Sequence, residues 1–350
     1  MSEGKSRFAF FGKLEGFPIA MVLLALYAVF IFTAPRVFTG YRIYMSFFQT
    51  VPPMLVLAIG LTFVITAGEI DLSFPAVIAL SGFVFTWCFK TLNAPWLGFI
   101  LALGSGALVG YVNGILVARL KVPSIMATLA TQFLWYGVTV LIAGGLQIDI
   151  QAINTTLIHT IFVGRIFGVF PAQALWSLGL TVFFWFILNK HRFGEEIMFL
   201  GDNAEVARVM GINVEMTRMK LFVLHGVLAA FAGLLLTIEM NVFFPTQGQG
   251  MLLSVMAAVF IGGTSIAGGY GVLVGTFFGA YIIGSHEAGV VATGIGGYWV
   301  QLVEGLVMAA VVVLNVVIGD EGASMVSRTA RKWAMKEQAL ADQKEAGGGG

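Results

Sequence analysis

From Phe17 to about residue 318 the chain is a series of long apolar runs, each ended by a short polar or charged cluster. A bilayer core of about 30 Å needs a helix of roughly 20 apolar residues, so runs of this kind mark membrane spans. The pattern predicts helices over 17–34, 51–67, 75–89, 96–118, 124–143, 171–189, 220–240, 251–265, 271–285 and 299–318. The composition agrees: 58% of residues are hydrophobic and 11% charged, against about 25% charged in soluble domains. The fold class expected is an all-α membrane protein of about ten spans. The first run is read as a retained helix, since no small-residue cleavage site follows it.

Basic residues orient such a bundle, because cytoplasmic loops collect Lys and Arg. With the N-terminus inside and alternating spans, the outer segments hold Arg36, Arg42, Lys90 and Arg165, and the inner ones hold the other 15 of the 19 basic residues. This asymmetry predicts cytoplasmic termini. The organisation expected is a cytoplasmic N-terminal segment (1–16), a permease domain (17–318) with an inner loop at 190–219, and a cytoplasmic tail (319–350). The tail ends in four glycines and is left out of the fold reasoning.

Two stretches interrupt the pattern. Gly68-Glu69-Ile70-Asp71-Leu72-Ser73 is a short link carrying two carboxylates, and Gly262–Gly271 is rich in glycine. Both read as breaks in helices at or near the membrane. Irregular backbone there must be buried in protein or face a watery cavity, and broken helices recur in transporters. For the glycine-rich stretch, close helix packing by small residues fits as well.

The inner loop carries a local signal. Asp202 and Asn203 suit a helix start and Gly211 a helix end. Between them run Ala204, Glu205, Val206, Ala207, Arg208, Val209 and Met210, with Val206, Val209 and Met210 on one face. Asn213 opens the run into the next span. Two readings fit: a peg docking in another protein's groove, or a helix lying on the bundle or the headgroups.

Much chemistry is excluded. A net charge of +1 gives no basic field for nucleic acid. The single cysteine, Cys88, forms no internal disulfide. The four histidines (159, 191, 225 and 286) lack metal-ligand spacing. Gly4-Lys5-Ser6 supplies only the end of a phosphate loop, and Gly269-x-Gly271 is followed by Gly275, one position late for a dinucleotide fingerprint. Neither a catalytic site nor a bound cofactor is expected on this chain. His225, Glu239 and Glu304 are ionisable groups in or near spans, where such groups are costly and often functional. Glu239 and Glu304 fit the outer boundary as well, and His225 fits a hydrogen-bonded packing role. An ion-coupled secondary carrier would use these three.

The residues also resemble a family. Gly68–Ser73, followed by Ala79-Leu80-Ser81-Gly82, is similar to the Gly-Gly-Ile-Asp-Leu-Ser signature of ribose/xylose/galactose-type (simple sugar) ABC importer permeases. Phe260–Gly269, with Gly271, Gly275 and Gly279, resembles that family's second signature, and Gly201–Val214 its coupling loop. The order is right, and the matches span roughly 50–318. Branched-chain amino-acid permeases share the plan. Glu69 stands where glycine is common, and Phe74-Pro75 where valine-glycine is, so no particular sugar is carried over.

The resemblance implies a permease subunit in the inner membrane. Residues 202–211 would enter a cytoplasmic ABC ATPase, which carries ATP and Mg. A soluble binding protein would deliver a sugar or sugar-like solute from outside, with nucleosides or branched-chain amino acids as alternatives. A second permease copy, or a related permease, would complete the path. Glu69, Asp71, Ser73, Gly262, Gly263, Gly268 and Gly269 are read as structural signature positions, with Asp71 and Ser73 capping the helix that follows. Asn113, Gln132 and Trp135 are candidates for the translocation path, or for structural roles. Gln147, Asp149, Gln151 and Asn154 mark the outer segment 144–170 as a docking surface.

Overall fold

The computed structural model describes residues 16–294 and, beyond them, 299, 300, 302, 305, 306 and 309. The chain divides into two compact units, residues 1–301 and 302–350, and nearly all the described residues belong to the first. The expected helix at 299–318, the segment 1–16 and the tail 319–350 lie largely or wholly outside the described residues.

The unit is helical. Its longer helices are α1 (Phe17–Thr33), α3 (Tyr41–Thr66), α4 (Phe74–Leu92), α5 (Pro95–Gly114), α6 (Ser124–Ile142), α8 (Ala172–Lys190), α11 (Val214–Met240), α12 (Met251–Ile261) and α13 (Leu273–Ala292). Shorter ones are α2 (Pro35–Phe38), α7 (Leu157–Phe162), α9 (Arg192–Asp202) and α10 (Ala204–Val209). Among the described residues, α3, α4, α5 with its following π turn, α6, α8 and α11 are long and apolar enough to cross a membrane, while α1 and α12 are shorter apolar helices.

The centre is α11 packed on α3, α4 and α5. From Val51 to Thr66 every residue of α3 is buried, as befits a helix apolar on all sides. Pro52 and Pro53 lie inside this helix; it starts at Tyr41, ten residues before the expected span. The α5–α11 crossing rests on Gly106, Gly110 and Gly114. A Cβ at the first two would strike the carbonyls of Gly226 and Phe222, and one at Gly114 would lie 3.0 Å from Met219 Cα. Small residues at four-residue spacing let membrane helices approach this closely.

At one end of the bundle, two-residue strands organise the connections. β1 (Ile148–Asp149) pairs antiparallel with β4 (Val242–Phe243), and β2 (Arg165–Ile166) with β3 (Phe170–Pro171). The other end carries α9 and α10. There the sequence suggested one short helix in 190–219; two are present, because Phe193, Ile197 and Leu200 also give 192–202 an apolar face.

Candidate functional site

Residues 69–73 are not helical, and α6 supplies the polar groups their backbone lacks. Ser124 Oγ accepts from the Ile70 N–H at 3.1 Å, Thr128 Oγ1 from the Leu72 N–H at 3.0 Å, and Gln132 Oε1 from the Ala76 N–H at 2.9 Å. Four-residue spacing puts these three side chains on one face of α6. Buried peptide groups need such partners, since an unmade bond costs about 1–3 kcal/mol.

The carboxylate of Asp71 turns inward. Its Oδ1 accepts from the Ser73 N–H at 2.8 Å and the Ser73 hydroxyl at 2.6 Å. Asn113 Nδ2 donates to Ser73 Oγ at 2.7 Å, and Thr131 Oγ1 to Asn113 Oδ1 at 2.7 Å. This corrects the capping expectation: the Ser73 side chain makes no cap bond to α4, and Gln132 caps it from another helix. Asn113 and Gln132, named as path candidates, each bond this segment through one polar atom, Asn113 Nδ2 to Ser73 and Gln132 Oε1 to the Ala76 N–H. Trp135 keeps a buried indole N–H without a hydrogen-bond partner among the described residues.

Glu69 lies at the mouth of this segment and forms an ion pair with Arg218 of α11 at 2.7 Å. The contact is an ion pair without the alignment of a hydrogen bond. Both line a mixed-charge cleft of about 410 Å³ with Lys121, Glu205, Arg208 and Glu215, between α10, the start of α11 and the 117–124 turn.

Behind the cleft the three singled-out stretches meet through bare backbone. The Gly269 N–H donates to the Thr66 carbonyl at 2.8 Å. A Cβ on Gly201, at the end of α9, would fall on that same carbonyl. A Cβ on Gly268 would lie 2.9 Å from the Gly201 oxygen and 3.0 Å from Gly68 Cα. Gly68, Gly268 and Gly269 have φ of 76°, 88° and 79°, which glycine alone adopts freely. Upstream, a Cβ at Gly262 would sit 2.5 Å from the Thr276 N–H, and Gly263 has φ 90°. The glycine-rich stretch thus combines a break between α12 and α13 with close packing.

From this junction the short helix α10 projects. Asn203 Oδ1 accepts from the N–H groups of Glu205 and Val206, and Gly211 leaves the helix at φ 86°. Glu205 and Arg208 pair along its side at 3.0 Å, and Ala207 is buried. Val206, Val209 and Met210 stay exposed, Val209 at 89%. Asp202 closes α9, and Asn213 caps α11 through the Met216 N–H.

Of the ionisable groups singled out, Glu239 is engaged and His225 is enclosed. Glu239, at the strand end of α11, pairs with Arg165 at 2.9 Å and accepts from the side chains of Gln49 and Gln173. His225 is fully buried, edge-on to Phe74 and close against Gly60. Neither of its ring nitrogens has a hydrogen-bond partner among the described residues. This corrects the expected hydrogen-bonded role: α11 meets α3 at a glycine there, leaving apolar walls. Glu304 lies outside the described residues. Gln147, Asp149, Gln151 and Asn154 are exposed. Among the described residues no His, Cys, Asp and Glu side chains gather as a metal site.

Sequence reasoning missed Thr66, Ser124 and Thr128, and the contact made by Gly201. Polar residues at 124, 128 and 132, at four-residue spacing in a largely apolar helix, were a readable signal. Nothing local marked Gly201 as a contact point.

A multi-pass helical bundle with broken helices and a projecting capped peg is the build of a transport permease. Residues 43–312 match the family described as branched-chain amino acid transport system / permease component, and the chain belongs to it. It is 32% identical over 297 residues to the ribose import permease protein of Escherichia coli strain K12, covering 84% of this chain and 92% of that one. It is 30% identical over 305 residues to the fructose import permease protein of Rhizobium meliloti, covering 85% and 84%. The autoinducer 2 import system permease protein of Salmonella choleraesuis is 32% identical over 303 residues, covering 85% of each chain. No solved structure matches the chain.

Proposed function

We propose that this chain is the membrane subunit of an ATP-driven importer for a sugar or sugar-like solute, in the cytoplasmic membrane. The observation that carries the reading is α10. A capped helix exposing Val206, Val209 and Met210 stands directly on the glycine junction of the two broken segments. An apolar stripe held out by a buried base fits a partner's groove. The partner is a cytoplasmic ABC ATPase that binds ATP and Mg. Closure of its two copies presses α10 and moves Thr66, Gly68 and Gly268 together, changing which side the path faces.

The charge pattern supports ten spans with both termini and α10 on the cytoplasmic side. The strand end then faces outward, where residues 144–170 offer Gln147, Asp149, Gln151 and Asn154 to a soluble binding protein. A second permease copy, or a related one, completes the path. Relatives named for ribose and fructose support a polyhydroxylated solute. The engaged Glu239 gives no support to an ion-coupled carrier.

Extraction in mild detergent followed by mass spectrometry tests this. A near-stoichiometric ATPase is expected. A subunit that purifies alone and transports on an ion gradient in vesicles would overturn the reading.

A further inference from the structure

α12 has 11 residues, a length of about 16 Å at 1.5 Å per residue. That is half of a bilayer core of about 30 Å, so the chain must enter the core before α12 begins. The contacts fix how far. A Cβ on Gly233 of α11 would lie 2.7 Å from the Ile78 oxygen and 3.0 Å from Ile78 Cα, so Ile78 is level with Gly233. Gly233 precedes the end of α11 at Met240 by seven residues, about 10 Å along the axis. Gln247 Nε2 donates to the Ile78 carbonyl at 2.9 Å and to Thr237 Oγ1 at 2.9 Å. A Cβ on Gly248 would lie 2.9 Å from the Pro75 oxygen. Residues 244–250 therefore dip from the β4 level about 10 Å into the bundle. They do so as turns, with φ of 87° at both Gly248 and Gly250.

One side of this dip is anchored and the other is open. Pro245, Gln247 and Gly248 are buried, while Thr246, Gln249 and Gly250 are exposed. On α6 the exposed positions Phe133 and Leu134 are apolar. Turn backbone with polar side chains does not face lipid at this depth; it lines a watery cavity or is covered by protein.

We propose that residues 246–250 line the solute path, with the Thr246 hydroxyl and the Gln249 amide as hydrogen-bonding groups for a neutral, polyhydroxylated solute in passage. The identity of the solute rests on the importer reading; the watery exposure of the segment does not.

The test is cysteine accessibility in the assembled complex. Cys88 is the only cysteine, so Cys88→Ala gives a clean background for Gln249→Cys, Thr246→Cys and the apolar-face control Phe133→Cys. A charged, membrane-impermeant thiol reagent is expected to label positions 246 and 249 at least tenfold faster than 133, and to block solute uptake in vesicles. Either position serves alone if the other variant does not insert. Labelling no faster than at 133, or labelling that leaves uptake intact, overturns the proposal. Loss of the co-purifying ATPase would instead count against the importer reading, and labelling is read separately from it.

Discussion

Gly201 and Thr66 meet without side chains: a Cβ on Gly201 would occupy the position of the Thr66 carbonyl oxygen, which already accepts from the Gly269 N–H at 2.8 Å. The end of α9, the end of α3 and the glycine-rich stretch thus share one peptide group. Under the proposed function, this contact is where a displacement of α10 and α9 would reach both broken segments.

The first prediction concerns that contact. Gly201→Ala adds a methyl where backbone stands, and overpacking of this kind costs about 1–3 kcal/mol. The variant is expected to retain its ATPase in a pull-down, because α10 is unaltered, while uptake falls at least tenfold. Uptake at the wild-type rate would remove the junction from the transmission route.

At α10 itself, Val206→Asp and Val209→Asp place a carboxylate on the exposed stripe. In the free subunit both positions face solvent, at 51% and 89% exposure, so insertion and thermal stability stay unchanged. A charge in an apolar groove weakens docking, and tenfold in affinity corresponds to about 1.4 kcal/mol. Co-purification of the ATPase is expected to drop by at least that factor. Asn203→Ala acts differently: losing the cap costs about 1 kcal/mol and loosens the peg.

The pair Glu69–Arg218 bridges the first broken segment to α11 at 2.7 Å. Removing one partner leaves a largely buried charge alone, which is strongly destabilising. Glu69→Gln is expected to lower the midpoint of thermal unfolding by several degrees, and Glu69→Arg with Arg218→Glu to recover part of it. A double-mutant cycle with coupling below about 0.5 kcal/mol would show the two act independently.

Much of this fold was readable as sequence because apolar run length and helix caps are local properties. The helical, multi-span character, the cap at Asn203 and the exit at Gly211 are of that kind. The roles of Asn113 and Gln132 were not, since their partners Ser73 and Ala76 lie 40 and 56 residues away. A polar residue in an apolar helix reads the same whether it faces a solute or a bare peptide group. The expected span began at 51, whereas α3 starts at Tyr41; residues 41–50 include Arg42, Gln49 and Thr50, which break the apolar run without breaking the helix. The depth of residues 244–250 was hidden as the roles of Asn113 and Gln132 were: it depends on Ile78 and Gly233, which are far away along the chain.

At the strand end, His159 gives a pH prediction. It lies on the short helix α7, outside the spans. Burial pushes its imidazole below the ordinary range; Glu239 opposes this and Arg165 reinforces it. The unfolded chain, with an ordinary His pKa of about 6.5, then binds the proton before the folded one does. Stability is whole above that value and declines as pH falls through it, because protonation favours the unfolded state. Between pH 7.5 and 5.5 the midpoint of thermal unfolding is expected to fall further in the wild type than in His159→Gln, which has no proton to gain there. Arg165→Gln should reduce the difference by removing a neighbouring positive charge. Parallel pH profiles for wild type and His159→Gln would show that His159 already titrates freely in the folded state and that its helix is not sealed against the bundle.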